Sequence, residues 1–187
     1  MDPVAVFLDI YKEDTPLRRL LFKHCCSVRD KALEILDNCG AIEIDRELVI
    51  AGAILHDIGV GRCHAPSILC VGDEPYIAHG IIGGEILREY GRLHGMDLEA
   101  CARICERHTG AGLTRDNIVS QALPLPRRDF LPETPEEKLI CLADKFFSKS
   151  GDMLEKSPEK ARASLAKFGA DTLSRYDAMC SLFGLGR

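Results

Sequence analysis

Six side chains far apart in the sequence share one chemistry. His24, His56, Asp57, His79, His108 and Asp144 all offer nitrogen or oxygen donors to a cation. Each falls on, or at the end of, an apolar helical stripe. His56 and Asp57 stand side by side after Ala51, Ile54 and Leu55, and Gly59 follows them. Burying an unpaired carboxylate costs several kcal/mol, so Asp57 needs a cation, a donor network or a metal. One histidine on an apolar stripe is ordinarily a hydrogen-bonded core residue, and a lone Asp144 could cap or bridge a neighbouring helix. Four histidines and two carboxylates turned toward one core are hard to satisfy by hydrogen bonds alone. Nitrogen and oxygen donors in this mix suit iron, manganese, zinc or similar divalent ions. Six ligands exceed what one catalytic ion with an open position takes. They fit two ions bridged by Asp57, with water or hydroxide between them. Two carboxylates against two divalent ions leave about two positive charges to attract a phosphate. His64 and His94 lie outside the stripes and are expected to be ordinary polar residues.

The elements that must position these donors are helices. A short amphipathic helix is predicted over Val4 to Tyr11. Thr15-Pro16 then supplies an N-cap and a first-turn proline for a helix reaching about Asn38, where Cys39-Gly40 stops it,. Leu17, Leu21, Val28, Ala32 and Ile35 keep the helical period, and His24 falls in their stripe,. A third helix is predicted from Arg46 to Asp57, with Gly59 ending it and freeing the following loop to reach substrate. Val60 to Ala78 is rich in Gly, Pro and Asp and reads as a loop,. Helices follow over His79 to Tyr90 and Asp97 to Arg107, each with a histidine at one end. Thr109 to Pro132 is irregular, with one short helix near Asp116 to Gln121. Thr134-Pro135-Glu136-Glu137 is a capping box opening the helix that carries Asp144,. Ser157-Pro158 opens a last helix to about Leu182, with Lys160, Arg162 and Lys167 on its outer face. No strand pattern of any length and no internal repeat is present. The fold class is all-α.

A length of 187 residues predicts one domain over 1–187, with its core at about 17–150 and the C-terminal helix at about 158–182,. Hydrophobic residues make up 46% and charged ones 28%, the balance of a soluble globular chain,. The net charge of -5 disfavours a nucleic-acid binder working through a broad basic face,. No apolar run reaches the roughly 20 residues of a membrane helix, and the N-terminus lacks the order of a signal peptide. A cytoplasmic location is expected. The nine cysteines are odd in number, contain no CxxC pair and mostly sit on apolar faces, so reduced, packed thiols are expected rather than disulfides or structural zinc,.

The order His24, His56-Asp57, Asp144 resembles the HD-domain superfamily, a helical bundle, and Asp57-Ile58-Gly59 gives its HDIG form. His79 and His108 are similar to the two extra histidines of the binuclear branch. His108-Thr109 and Ala143-Asp144-Lys145 resemble segments of bacterial HD-type diadenosine tetraphosphate hydrolases. The stretches His79 to Leu87, Arg107 to Thr114 and Pro132 to Asp144 are similar to small archaeal-type HDIG proteins of unsettled function. The resemblance covers about residues 17 to 150 and is much more specific than His-Asp alone. One departure stands out. Many HDIG enzymes, including the cyclic di-GMP phosphodiesterases of the HD-GYP type, have a lysine directly after the motif, whereas this chain has Val60, with Arg62 two residues on. HD-GYP proteins also use a histidine pair where this chain has His108-Thr109. Both differences argue against cyclic di-GMP cleavage.

The resemblance implies a metal-dependent phosphohydrolase acting on a phosphate ester or anhydride, with a small phosphorylated substrate, a nucleotide by preference. His24, His56, Asp57 and Asp144 are expected to hold one ion, and His79, His108 and the bridging, catalytic Asp57 the second. A hydroxide shared by the ions is expected to attack phosphorus. Arg62, Arg115, Arg127, Arg128 and Lys145 are candidate phosphate contacts because they lie in or beside the loops flanking the ligands,. Each is equally well read as solvated surface charge. The same ligand set also serves HD-type mixed-valent di-iron oxygenases. A non-catalytic nucleotide sensor is the third reading, disfavoured because all six ligand positions are filled.

Overall fold

The computed structural model describes residues 1–40 and 42–185. Four of the helices start on a polar cap followed by proline,. Asp2 caps α1 (Pro3–Ile10). The Thr15 hydroxyl accepts the Arg18 N–H at 3.1 Å, and Pro16 opens α2 (Pro16–Asn38),. Asp45 caps α3 (Arg46–Leu55). Next come α4 (His79–His94), closed by left-handed Gly95, then α5 (Glu99–Arg107) and the short α6 (Arg115–Ser120),. Thr134 and Glu137 form the expected reciprocal capping box of α7 (Pro135–Asp144),.

The predicted last helix is two helices. α8 (Pro158–Leu165) passes into a 3-10 turn over Ala166–Phe168, and Gly169 at φ +97° redirects the chain into α9 (Ala170–Leu182). That backbone angle strains any residue with a Cβ, so the glycine marks a real corner. The segment expected to be all loop holds a small sheet. β1 (Cys63–Ala65) pairs antiparallel with β2 (Cys70–Val71) and parallel with β3 (Glu74–Pro75). Strands of two or three residues are too short for alternation to show in a sequence. The fold is otherwise helical, as an all-α reading requires.

Two apolar clusters fill the interior. One joins α2, α3, α7 and α9 through Val28, Ile35, Val49, Ile140, Tyr176 and Met179. The other joins α1 to the same bundle through Phe7, Leu21, Ile54, Leu55, Leu87 and Cys105. On α2, Leu21 and Cys25 belong to the second cluster and Val28 to the first, so His24 stands at their border. All nine cysteines are free thiols, eight of them buried, in keeping with a packing role. Among the described residues no helix is long and apolar enough to cross a membrane.

Candidate metal centre

The His-Asp pair sits just beyond α3, which ends at Leu55 rather than at the expected Asp57. Ala51 through Leu55 are all buried. A helix end enclosed on nearly all sides lets two adjacent side chains, about 100° apart, both face the interior. Past Leu55 the chain tightens: the Ile58 N–H donates to the Leu55 carbonyl at 3.1 Å, and that of Val60 to Asp57 at 3.0 Å. Gly59 has an ordinary helical φ of -79°. Its lack of a side chain serves another purpose, since a Cβ there would collide with the His79 carbonyl oxygen and the Gly83 nitrogen. The glycine expected to release a loop instead lets the His56-Asp57 turn pack against the start of α4. Tyr11 of α1 clamps the turn from the other side, donating its hydroxyl to the Ile58 carbonyl and accepting the Gly61 N–H, both at 2.9 Å.

All six expected ligands are buried and converge. His24, His56, Asp57 and Asp144 offer donor atoms within 4.8 Å of one another, and so do Asp57, His79 and His108. His24 Nε2 lies 3.2 Å from Asp57 Oδ2 and 3.0 Å from Asp144 Oδ1. His56 Nε2 lies 3.1 Å and 3.6 Å from the same two oxygens. The other carboxylate oxygen, Asp57 Oδ1, faces His79 Nε2 at 3.6 Å and His108 Nε2 at 3.5 Å. One carboxylate thus addresses both groups, one oxygen each.

The imidazoles are oriented from behind. Nδ1 of His56, His79 and His108 each lies 2.7 Å from the carbonyl oxygen three residues earlier, of Ala53, Tyr76 and Cys105. A carbonyl only accepts, so Nδ1 carries a proton in all three rings. His79 and His108, held neutral by burial, then present a lone pair at Nε2, while His56, despite its burial, is held charged by Asp57 beside it. The Nε2 atoms of His79 and His108 are 3.1 Å apart. Two facing lone pairs need a cation between them. A proton does not serve near neutral pH: burial, and then His108, push the His79 imidazole down to about 3, and burial also lowers His108. His24 Nδ1, His56 Nε2 and both Asp57 oxygens lack a hydrogen-bond partner although fully buried. Of these, His56 Nε2 and the two Asp57 oxygens face the cluster, and buried nitrogen and oxygen atoms grouped in this way fit a divalent ion,.

Charge is concentrated on the other side. Burial works against ionisation of Asp57 and Asp144, and the cations beside them prevail, holding both carboxyls well below the usual range: His56 and Lys149 for Asp57, Lys145 and Lys149 for Asp144. Lys149 was not singled out by the sequence. Its Nζ stands 2.7 Å from Asp57 Oδ2, an ion pair whose direction leaves that oxygen without a hydrogen bond. It follows α7 in a stretch without helical period, where nothing in the sequence separates it from Lys156 or Lys160. Lys145, which the sequence did select, reaches Asp144 Oδ2 at 2.6 Å.

The selected arginines are elsewhere. Arg62 is exposed and lines a groove with Asp73, Glu74, Glu85 and Glu89. Arg128 lies over Phe130 at 4.1 Å and pairs with Glu106 at 3.4 Å. Arg115 and Arg127 are exposed, and the Arg115 backbone N–H donates to Asp129. His64 is exposed, and His94 stacks on Tyr90 at 4.1 Å, both the ordinary roles expected.

The family model of the HD domain matches residues 21–148, a span that contains all six expected ligands. The chain belongs to the HD-domain family. This HD domain is 42% identical over 125 residues to an uncharacterized protein of Methanocaldococcus jannaschii, an alignment covering 65% of this chain and 63% of that protein. It is 39% identical over 129 residues to the tRNA (cytidine(56)-2'-O)-methyltransferase of Picrophilus torridus, covering 69% of this chain and 32% of the enzyme. The methyltransferase of the same name from Thermoplasma volcanium is 34% identical over 128 residues, again spanning 32% of its length. The chain thus spans less than two thirds of the first relative and about a third of the other two. Among solved structures, the HD domain of the L. monocytogenes phosphodiesterase PgpH, crystallised with cyclic-di-AMP, is similar at a TM-score of 0.48 and 16% identity, covering 90% of this chain and 92% of that one.

Proposed function

We propose that this HD domain is a metal-dependent phosphohydrolase that cleaves a phosphate ester or anhydride, with a nucleotide as substrate. The observation that carries the reading is the pair of donor groups joined by a single carboxylate, each oxygen of Asp57 facing its own set of imidazoles. His24, His56, Asp57 and Asp144 would hold one divalent ion, and His79, His108 and Asp57 the second. Such a pair, when bound, supplies Lewis acidity and a nucleophilic water at neutral pH. Iron and manganese suit this nitrogen-and-oxygen donor set.

The chain's own groups do the positioning. The three backbone carbonyls behind His56, His79 and His108 hold the proton on each Nδ1 and aim each Nε2 inward. A cleft of about 330 Å³ opens beside the cluster, lined by Tyr76, Asp144, Ser148 and Lys149 among others. Tyr76 stacks on His79 with ring centroids 4.8 Å apart. A phosphate entering there meets the Lys149 ammonium, and Lys145 sits one side chain away on Asp144. Buried lysines of this kind interact strongly with phosphate oxygens because little water screens them. The nucleotide preference is supported by these two cations and by the family resemblance.

The test is metal analysis of protein purified with and without oxygen, followed by phosphate release from a panel of nucleotides and simple phosphodiesters. About two bound ions per chain and metal-dependent release are expected. Oxygen-dependent oxidation of a substrate with no phosphate released from any compound would replace this reading with the oxygenase one.

A further inference from the structure

We propose that the cavity behind Lys145 receives the nucleoside part of the substrate, with Phe168 as the stacking surface for its base. The inference rests on the phosphohydrolase reading and extends it from the phosphate to the rest of the molecule. The cavity measures about 390 Å³, inside the range of about 300–1,000 Å³ usual for small-molecule sites. It adjoins the metal centre at three points. Lys145, which lines it, touches the ligand Asp144. Thr109 directly follows the ligand His108, and Ile77 follows Tyr76, the ring stacked on His79.

Its lining separates it from the acidic depressions, though not from the one around Lys138 and Arg175, which also lacks Asp and Glu but holds no residue next to a metal-facing side chain. The groove around Arg62 carries four carboxylates, and the depression between α8 and α9 carries Glu159 and Asp177. The cavity behind Lys145 is lined by two lysines, Lys145 and Lys167, and by no Asp or Glu. In a chain of net charge -5, a lining with two lysines and no carboxylate leaves the phosphate-bearing end of a nucleotide without a repelling charge as its neutral part enters,. Leu113, Leu123 and Leu165 make the walls apolar.

The polar groups present favour a heteroaromatic ring over an acyl chain. Asn117 Oδ1 is taken by the Thr114 N–H at 3.1 Å and by Arg175 at 3.4 Å. Its amide N–H groups remain for a ligand, and they match the carbonyl and ring-nitrogen acceptors of a base. Gln121 adds both a donor and an acceptor. Phe168 lies at the rim, 43% exposed, with the Lys167 ammonium 5.0 Å above its ring. An exposed aromatic at a cavity rim is the sort of surface on which bases stack irrespective of sequence.

The cavity also belongs to this chain rather than to the HD match alone. Leu165, Lys167, Phe168 and Thr172 lie beyond residue 148, where that match ends. Arg175 of α9 binds this C-terminal wall to the metal-bearing loop, donating to the Ala111 carbonyl at 2.9 Å and the Gly112 carbonyl at 3.2 Å. The candidate ligands come from one part of the chain, and about a third of the cavity lining from another.

The experiment uses two separable readouts on the full chain. Binding of adenosine, guanosine, cytidine and uridine to metal-free protein is followed by saturation-transfer NMR, for wild type, Phe168→Ala and Gln121→Ala; both residues are exposed, so both variants should fold. At least one nucleoside is expected to bind, about tenfold more weakly to Phe168→Ala. The manganese-loaded proteins are then compared on the matching nucleotide and on bis(4-nitrophenyl) phosphate. The ratio of the two kcat/KM values is expected to fall about tenfold in Phe168→Ala, mainly through KM. Absence of nucleoside binding, or binding indifferent to both substitutions, overturns the proposal even if both esters are hydrolysed. Nucleoside binding that depends on Phe168, with neither ester hydrolysed, keeps the cavity assignment and removes the phosphohydrolase reading.

Discussion

The two halves of the metal centre are built on different principles. The first half, His24, His56 and Asp144 with Asp57 Oδ2, holds both carboxylates and is flanked by Lys145 and Lys149. The second, His79 and His108 with Asp57 Oδ1, has a single carboxylate oxygen and two neutral imidazoles. Both imidazoles of the second half are locked by backbone carbonyls, but only His56 is locked in the first, where His24 Nδ1 has no partner. The first half is therefore organised by charge and the second by burial and tautomer. On the proposed two-ion reading, Coulomb attraction is expected to make the first the tighter site, with the second depending on the first for its share of Asp57. The halves come from different helices, α2, α3 and α7 against α4 and α5, and Gly59 is where their backbones meet.

The most severe way to break this division is Asp57→Ala. Both halves lose their common oxygen donor, so bound metal should fall from about two ions per chain to below one, with phosphate release at background. Retention of both ions would remove Asp57 from the bridging position. His108→Ala strikes the second half alone, and metal analysis should show about one remaining ion. An equal loss from His108→Ala and His24→Ala would show that the halves are not separable.

Lys149→Met tests the charge balance of the first half. In metal-free protein it removes one of the two cations beside a buried carboxylate, which should cost up to about 3–5 kcal/mol in urea unfolding,. Bound divalent ions replace the missing charge, so the metal-loaded variant should lose much less, and its metal affinity should rise. A loss of equal size with and without metal contradicts the charge-organised description. Gly59→Ala acts at the seam. Forcing a methyl group against the His79 carbonyl and Gly83 should cost about 1–3 kcal/mol and weaken the second ion more than the first, as read by competition with a chelator. The mildest change, Thr134→Ala, removes the cap of the helix bearing Asp144, and thermal unfolding should report about 1 kcal/mol,. Its effect on metal affinity should be confined to the first half.

Much of the fold was legible because its signals are local. Thr15-Pro16 and Thr134 through Glu137 start their helices where they were expected to, since a cap acts on N–H groups only two or three residues away,. What misled was either too short or too distant to leave a pattern. The strands at Cys63–Ala65, Cys70–Val71 and Glu74–Pro75 show no alternation, and the Gly169 corner leaves the helical period on both sides nearly unbroken. Within the site, the six clustered donor residues could be picked out because polar residues stand against an apolar stripe. Lys149 could not, because one lysine in an irregular segment looks like the next. Arg62, Arg115, Arg127 and Arg128 were selected for closeness in sequence to ligand-bearing loops, and a loop can turn its side chains to either face.

The sequence by itself determined the helical class, most helix starts and the donor types at six buried positions, since periodicity, capping and side-chain chemistry are properties of the residues themselves. Only the tertiary structure decided the rest. It gave each oxygen of Asp57 to a different pair of histidines, set two imidazole lone pairs face to face, brought Lys149 onto the shared carboxylate and made Gly59 the contact between the halves. Those outcomes depend on distances between residues far apart in the chain, and such distances are set by how helices pack.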